Sequence, residues 1–105
     1  MAEAEVSVPG QKHDGDKVRM ELVYYPAITG IAKVLTFGAN KYADNSWQNL
    51  ENRKARYFAA AMRHLLAYWM GERADDESDL SHLDHCATNL MFLKYDEDQG
   101  GSDNA

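Results

Sequence analysis

Apolar residues recur at helical spacing in three stretches of the chain, and no pair of segments alternates in the two-residue period of a hairpin. The first stretch runs from about Pro26 to Tyr42, with Ile28, Ile31, Ala32, Leu35 and Ala39 on one side. Pro26 suits a first helical turn, while Gly30 and Gly38 mark close packing or a bend. The second runs from about Asn52 to Gly71 through RYFAAAMRHLLAYWMGE, rich in helix formers, with Gly71 as its stop. The third runs from about Ser81 to Tyr95, where Ser81 and Asp84 resemble a capping box. A short ERADDESDL loop joins the last two, which predicts an antiparallel helical hairpin. Tyr42 to Trp47 reads as a turn, and the β-type residues from Met20 to Tyr25 cannot form a sheet alone. The predicted fold is all-α: a small helical bundle built on this hairpin and completed by oligomerisation.

The flanks are polar. Residues 1–16 read as a flexible arm, residues 17–96 as the domain, and residues 97–105 as a disordered acidic tail, with Asp96 counted among the solvated acids. At 105 residues the chain has room for one domain, and a domain of that size leaves much surface to be covered by a partner. Wide apolar faces that include Trp69, Met91 and Phe92 predict a homodimer or homotetramer.

The net charge of −6 is unevenly spread. Residues 17–63 carry eight bases against three acids, and residues 64–105 carry ten acids against two bases. Such a chain is a poor binder of nucleic-acid polymers, which need a dominant basic surface. It suits an anion on one side and a cation on the other, although solvated charge also explains a split of this kind, and Lys33, Arg53 and Lys54 read as solvated. Cys86 is the only cysteine and fits a buried thiol in a reducing cytoplasm. No apolar run has membrane-spanning length and no signal peptide is visible, so neither a membrane partner nor export is expected.

Polar residues on the second and third segments concentrate the candidate chemistry. His64 and Glu72 lie about 80° apart around a helix, and His82, His85 and Asn89 share one face. An antiparallel hairpin then brings Glu72 toward His82 and His85, and His64 toward Asn89. Glu72, Asp75, His82 and His85 offer two carboxylates and two imidazoles within 14 residues, a set that suits Mn²⁺, Fe²⁺ or Zn²⁺, and Mg²⁺ where oxygen dominates. A capping and hydrogen-bond network accounts for the same spacing. Lys17, Arg19, Lys41, Arg56 and Arg63 are candidates for phosphate. Tyr42 and Trp47 either stack on a base or close the core. Neither a phosphate-binding Gly-Lys-Ser/Thr loop nor a Gly-x-Ser-x-Gly elbow is present, and the His-Asp order of the HD-type phosphohydrolases is missing.

Taken in order, DGDKVRMEL, VLTFGANKYADNSW, RYFAAAMRHLLAYWMGE and DDESDLSHLDHCATNLMFL resemble the mostly phage-encoded family of dATP/dGTP diphosphohydrolase N-terminal domains, relatives of the MazG-like all-α nucleotide pyrophosphohydrolases. The resemblance covers about residues 13–96 and implies hydrolysis of a purine deoxynucleoside triphosphate to the monophosphate and pyrophosphate, with a divalent metal, Mg²⁺ or Mn²⁺. Asp14, Lys17 and Arg19 match the family's first motif, with Asp16 at its usual glycine and Val18 at its proline. Lys41, Tyr42 and Trp47 match the second, and Arg63, His64, Trp69, Gly71 and Glu72 the third. Asp75, Glu77, Ser78, His82 and His85 match the fourth, with Asp79 replacing a glycine. The implied roles are catalysis by His64 and Glu72, metal binding by Glu72, Asp75, His82 and His85, phosphate binding by Lys17, Arg19, Lys41 and Arg63, and base binding by Tyr42 and Trp47. His64 is open to three roles: ligand, support for a ligand, or base. MazG-like enzymes carry an E-x-x-E pair that this chain lacks, so either histidines take ligand positions or the protein binds nucleotide without cleaving it.

Overall fold

The computed structural model describes residues 15–100. Three helices of 17 residues each form the fold: α1 (Tyr25–Lys41), α2 (Arg53–Trp69) and α3 (His82–Asp98). Short 3₁₀ turns at Met20–Leu22 and Ser46–Asn49 flank α1, and no strand occurs among the described residues. The all-α hairpin expected from the sequence is present, with α1 and α2 both packed on α3. Asp14, the first residue of the family motif, lies outside the described residues.

Helix ends follow local chemistry. Pro26 sits in the first turn of α1. α2 closes in a Schellman arrangement: Gly71 has φ 100°, its N–H donates to the Tyr68 carbonyl at 3.0 Å, and the Glu72 N–H donates to the Ala67 carbonyl at 2.9 Å. Ser81 Oγ accepts from the Leu83 N–H at 3.1 Å and caps α3. The Asp84 carboxylate does not complete a capping box; it lies against α1 at Gly30. A Cβ built on Gly30 would stand 2.2 Å from Asp84 Oδ1, so any side chain here would have to displace the Asp84 carboxylate.

The buried apolar residues are few: Val34, Tyr57, Ala61 and Cys86. An aromatic cluster extends this core. Trp47 stacks on Phe92 with centroids 4.5 Å apart and meets Tyr95 edge-on at 4.9 Å, while Tyr57 packs on Phe92 and donates its hydroxyl to the Trp47 carbonyl. Trp47 thus helps to close the core.

The C-terminal end differs from expectation. α3 continues to Asp98, and Asp96 is 2 % exposed rather than solvated. Its Oδ1 accepts from Arg53 Nε at 2.8 Å, which fastens the end of α3 to the start of α2. Arg53 is therefore not a solvated base either. Burying a carboxylate is tolerable only with a partner of this kind. α2 leaves Phe58, Leu65, Leu66 and Trp69 on an outer apolar face, Trp69 being 78 % exposed.

Gly30→Ala should destabilise the domain by about 1–3 kcal/mol through overpacking against Asp84. Asp84→Ala in the same chain should recover most of that loss, measured by urea unfolding. A Gly30→Ala protein as stable as the parent would contradict the close approach.

Candidate metal centre and cleft

The segment between α2 and α3 folds back on itself and sets the register of the two helices. The Asp75 N–H donates to the Leu80 carbonyl and the His82 N–H to the Arg73 carbonyl, each at 2.8 Å, and Ala74 pairs with Ser81 in an isolated antiparallel bridge. Asp79 closes the turn at φ 61°. This is one of the positions where the family pattern has glycine, and aspartate tolerates the left-handed region better than most residues.

Inside the turn, Asp75 Oδ2 accepts from the backbone N–H groups of Glu77 and Ser78, each at 3.1 Å, and from Ser78 Oγ at 3.3 Å. Among the described residues, all three bonds fall on Oδ2. Burial alone would raise the Asp75 carboxyl, but the backbone donors and the neighbouring His85 and His64 hold it below its ordinary value. Ser78 Oγ also lies 2.6 Å from His85 Nε2. The sequence motif contained Ser78, but its role in linking Asp75 to His85 appears only in three dimensions.

This register brings together three imidazoles. His64, in the fourth turn of α2, shares a hydrogen bond with His82 through their Nδ1 atoms at 2.8 Å and stacks on His85 with centroids 4.5 Å apart and planes 10° apart. Asn89 donates its amide to the His85 carbonyl at 2.9 Å and lines the same cleft as His64. Glu72 reaches His82 as expected, with Oε2 3.3 Å from Nε2. That contact is poorly aligned, and the buried Nε2 has no hydrogen-bond partner. One ligand atom each from His64, Asp75 and His82 lies within 4.8 Å of the others, a grouping able to hold a cation. Of the expected ligands, Asp75 and His82 belong to this group, Glu72 and His85 flank it, and His64 joins it.

Burial pushes the His64 imidazole down to about 4, with the nearby His85 adding to the effect. Burial also lowers His85, against the pull of Asp75. Both rings are therefore neutral near pH 7, the form that binds metal.

Beside the centre opens a cleft of about 810 Å³, in the range of small-molecule sites. His64 and His85 stand in its wall, Trp47 forms part of its lining, and Lys41, Tyr42 and Arg56 contribute from its sides. Lys41 pairs with Glu77 and lies 5.1 Å from the Tyr42 ring centroid. Tyr42 is exposed and available to a base. Lys17, Arg19 and Arg63 are exposed and do not line the cleft. Arg19 pairs with Glu21 at 2.7 Å. Arg56 takes the place in the cleft that the shared helix face had suggested equally for Arg63. No helix among the described residues is long and apolar enough to cross a membrane.

The histidines make stability depend on pH with a definite sign. His64 binds a proton at about 4 when folded and at 6.5 when not, so acid favours the unfolded chain between those values. Unfolding midpoints in urea should fall as pH drops from about 6.5 to 4, with His85 adding in the same direction. His64→Gln should flatten that slope; an equally steep slope in this variant would assign the dependence to other groups.

Comparison with known proteins agrees with the motifs. No solved structure matches the chain significantly. A dATP/dGTP diphosphohydrolase of Salmonella phage PMBT28 is 34 % identical over 84 residues, a match covering 80 % of this chain and 28 % of the phage protein. The chain thus spans less than a third of that relative's length. The family model described as dATP/dGTP diphosphohydrolase, N-terminal, matches residues 7–104, and with nearly the whole chain inside that match the protein belongs to this family.

Proposed function

We propose that this domain hydrolyses a purine deoxynucleoside triphosphate, dATP or dGTP, to the monophosphate and pyrophosphate with the help of a divalent cation. One observation carries the reading: the wall of a nucleotide-sized cleft contains His64 of a histidine–carboxylate centre, with two cationic side chains and an exposed tyrosine around it. The name of the phage relative supports the choice of purine deoxynucleotides.

The roles follow from position. His64, Asp75 and His82 would hold the cation. Bound there, it would neutralise phosphate charge and make an attacking water more acidic. Arg56 presents a planar fork to phosphate oxygens, and Lys41 exchanges Glu77 for a phosphate at little cost, since its ion pair is exposed. Tyr42 offers a ring to the base. Glu72, 3.3 Å from His82 Nε2, would hold that ring in place. The outer apolar face of α2 is assigned to a second copy, giving a homodimer or homotetramer; a monomeric mass by light scattering at micromolar concentration would overturn that assignment.

Pyrophosphate release from dATP and dGTP should require a divalent cation and should fall at least 100-fold in Asp75→Asn, about 2.7 kcal/mol or more of transition-state stabilisation. Nucleotide that binds tightly but is recovered intact would replace hydrolysis by sequestration.

A further inference from the structure

We propose that the cation of this centre is a nitrogen-seeking transition-metal ion of the Co²⁺, Zn²⁺ or Mn²⁺ kind rather than Mg²⁺, held by Nδ1 of His64, Nδ1 of His82 and Oδ1 of Asp75, with Glu72 outside the ligand set as the partner of the far nitrogen of His82. The proposal rests on the reading of the centre as a cation site and goes beyond it in naming the ion's class, the ligand atoms and the role of Glu72.

Three observations point the same way. The first is the donor set. Two imidazoles and one carboxylate oxygen suit borderline transition metals, whereas Mg²⁺ prefers an octahedron of oxygens and retains much of its water. The second is spacing. The two Nδ1 atoms stand 2.8 Å apart, facing each other. Adjacent nitrogens on a tetrahedral ion are about 3.3 Å apart, so a small widening admits an ion between them. The hydrogen bond they now share needs one ring proton on an Nδ1 atom; ligation moves that proton to the same ring's Nε2, and the neutral ring keeps its proton count. Asp75 is ready for the third position, because its loop hydrogen bonds fall on Oδ2.

The third observation is the orphaned atom. His82 is 4 % exposed, and its Nε2 is buried with no hydrogen-bond partner although Glu72 Oε2 is 3.3 Å away. A buried imidazole nitrogen left in that state is costly. Ligation through Nδ1 fixes the proton on Nε2 and turns it into a donor toward the carboxylate. A metal-bound histidine backed by a carboxylate is a general arrangement for fixing the ring and its tautomer. Glu72 is accordingly a positioning residue.

The test uses the whole chain without nucleotide. Co²⁺ is titrated in, and the bound ion is followed by its visible absorption and by X-ray absorption fine structure. The expected result is one Co²⁺ per chain, an intense low-coordinate spectrum, scattering from two imidazoles, and no displacement by a large molar excess of Mg²⁺. His82→Ala should abolish the spectrum. Glu72→Gln should keep the two-imidazole signature while weakening affinity roughly 10–100-fold. An ion without imidazole scattering, ready displacement by Mg²⁺, or a Glu72→Gln protein that binds as tightly as the parent would each overturn the proposal. The wild-type X-ray measurement decides the ligand set even if His82→Ala fails to fold. Intact cobalt signatures without pyrophosphate release would sink hydrolysis alone; Mg²⁺-supported release without the signatures would sink this inference alone.

Discussion

The return of the chain between Trp69 and His82 is the constraint on which the rest of the site depends. Backbone hydrogen bonds at 2.8 Å close this segment from Asp75 to Leu80 and from Arg73 to His82. They decide how far α3 slides along α2, and so which polar residues meet. Asp75 organises the turn through one carboxylate oxygen, and its carboxylate also belongs to the candidate cation group. Asp79 supplies the left-handed residue that the turn requires, at a conformational cost smaller than a branched side chain would carry.

α3 has an unusual buried face. His82, His85, Thr88, Asn89 and Asp96 are all buried, and Thr88 is fully so. A helix in a plain structural bundle would place leucines there. Most of these groups have a partner: Thr88 Oγ1 donates to the Asp84 carbonyl at 2.7 Å, Asn89 to the His85 carbonyl, and Asp96 accepts from Arg53 across the helix pair. His82 Nε2 is the exception among the described residues, and it lies at the candidate metal centre. A lone unsatisfied atom in an otherwise satisfied polar face is where function is expected to take precedence over stability.

Much of the fold was legible. Pro26, Gly71 and Ser81 mark helix ends through conformations that single residues impose, and each acts as expected. Asp75 and His82, both named from the sequence, meet in one candidate cation group, and Lys41 lines the cleft beside it. Other features were not legible. Asp96 sits in an acidic run that reads as solvated, and nothing local announces Arg53, which is 43 positions away in the chain. Trp47 packs on Phe92, 45 positions away, a contact that no local pattern announces. Arg56 and Arg63 share a helix face by spacing, yet only Arg56 reaches the cleft.

His64 shows the division most clearly. By itself the sequence determined that His64 lies on the second helix, that His82 and His85 share a face of the third, and that the two helices run antiparallel. Those facts follow from short-range rules: about 100° of rotation per residue, end-capping chemistry and a short connection. Only the tertiary structure decided that His64 meets both His82 and His85. The slide of one helix along another is set by loop closure and by close contacts such as Gly30 against Asp84. A shift of a single turn, about 5.4 Å, exchanges every partner while leaving each helix unchanged.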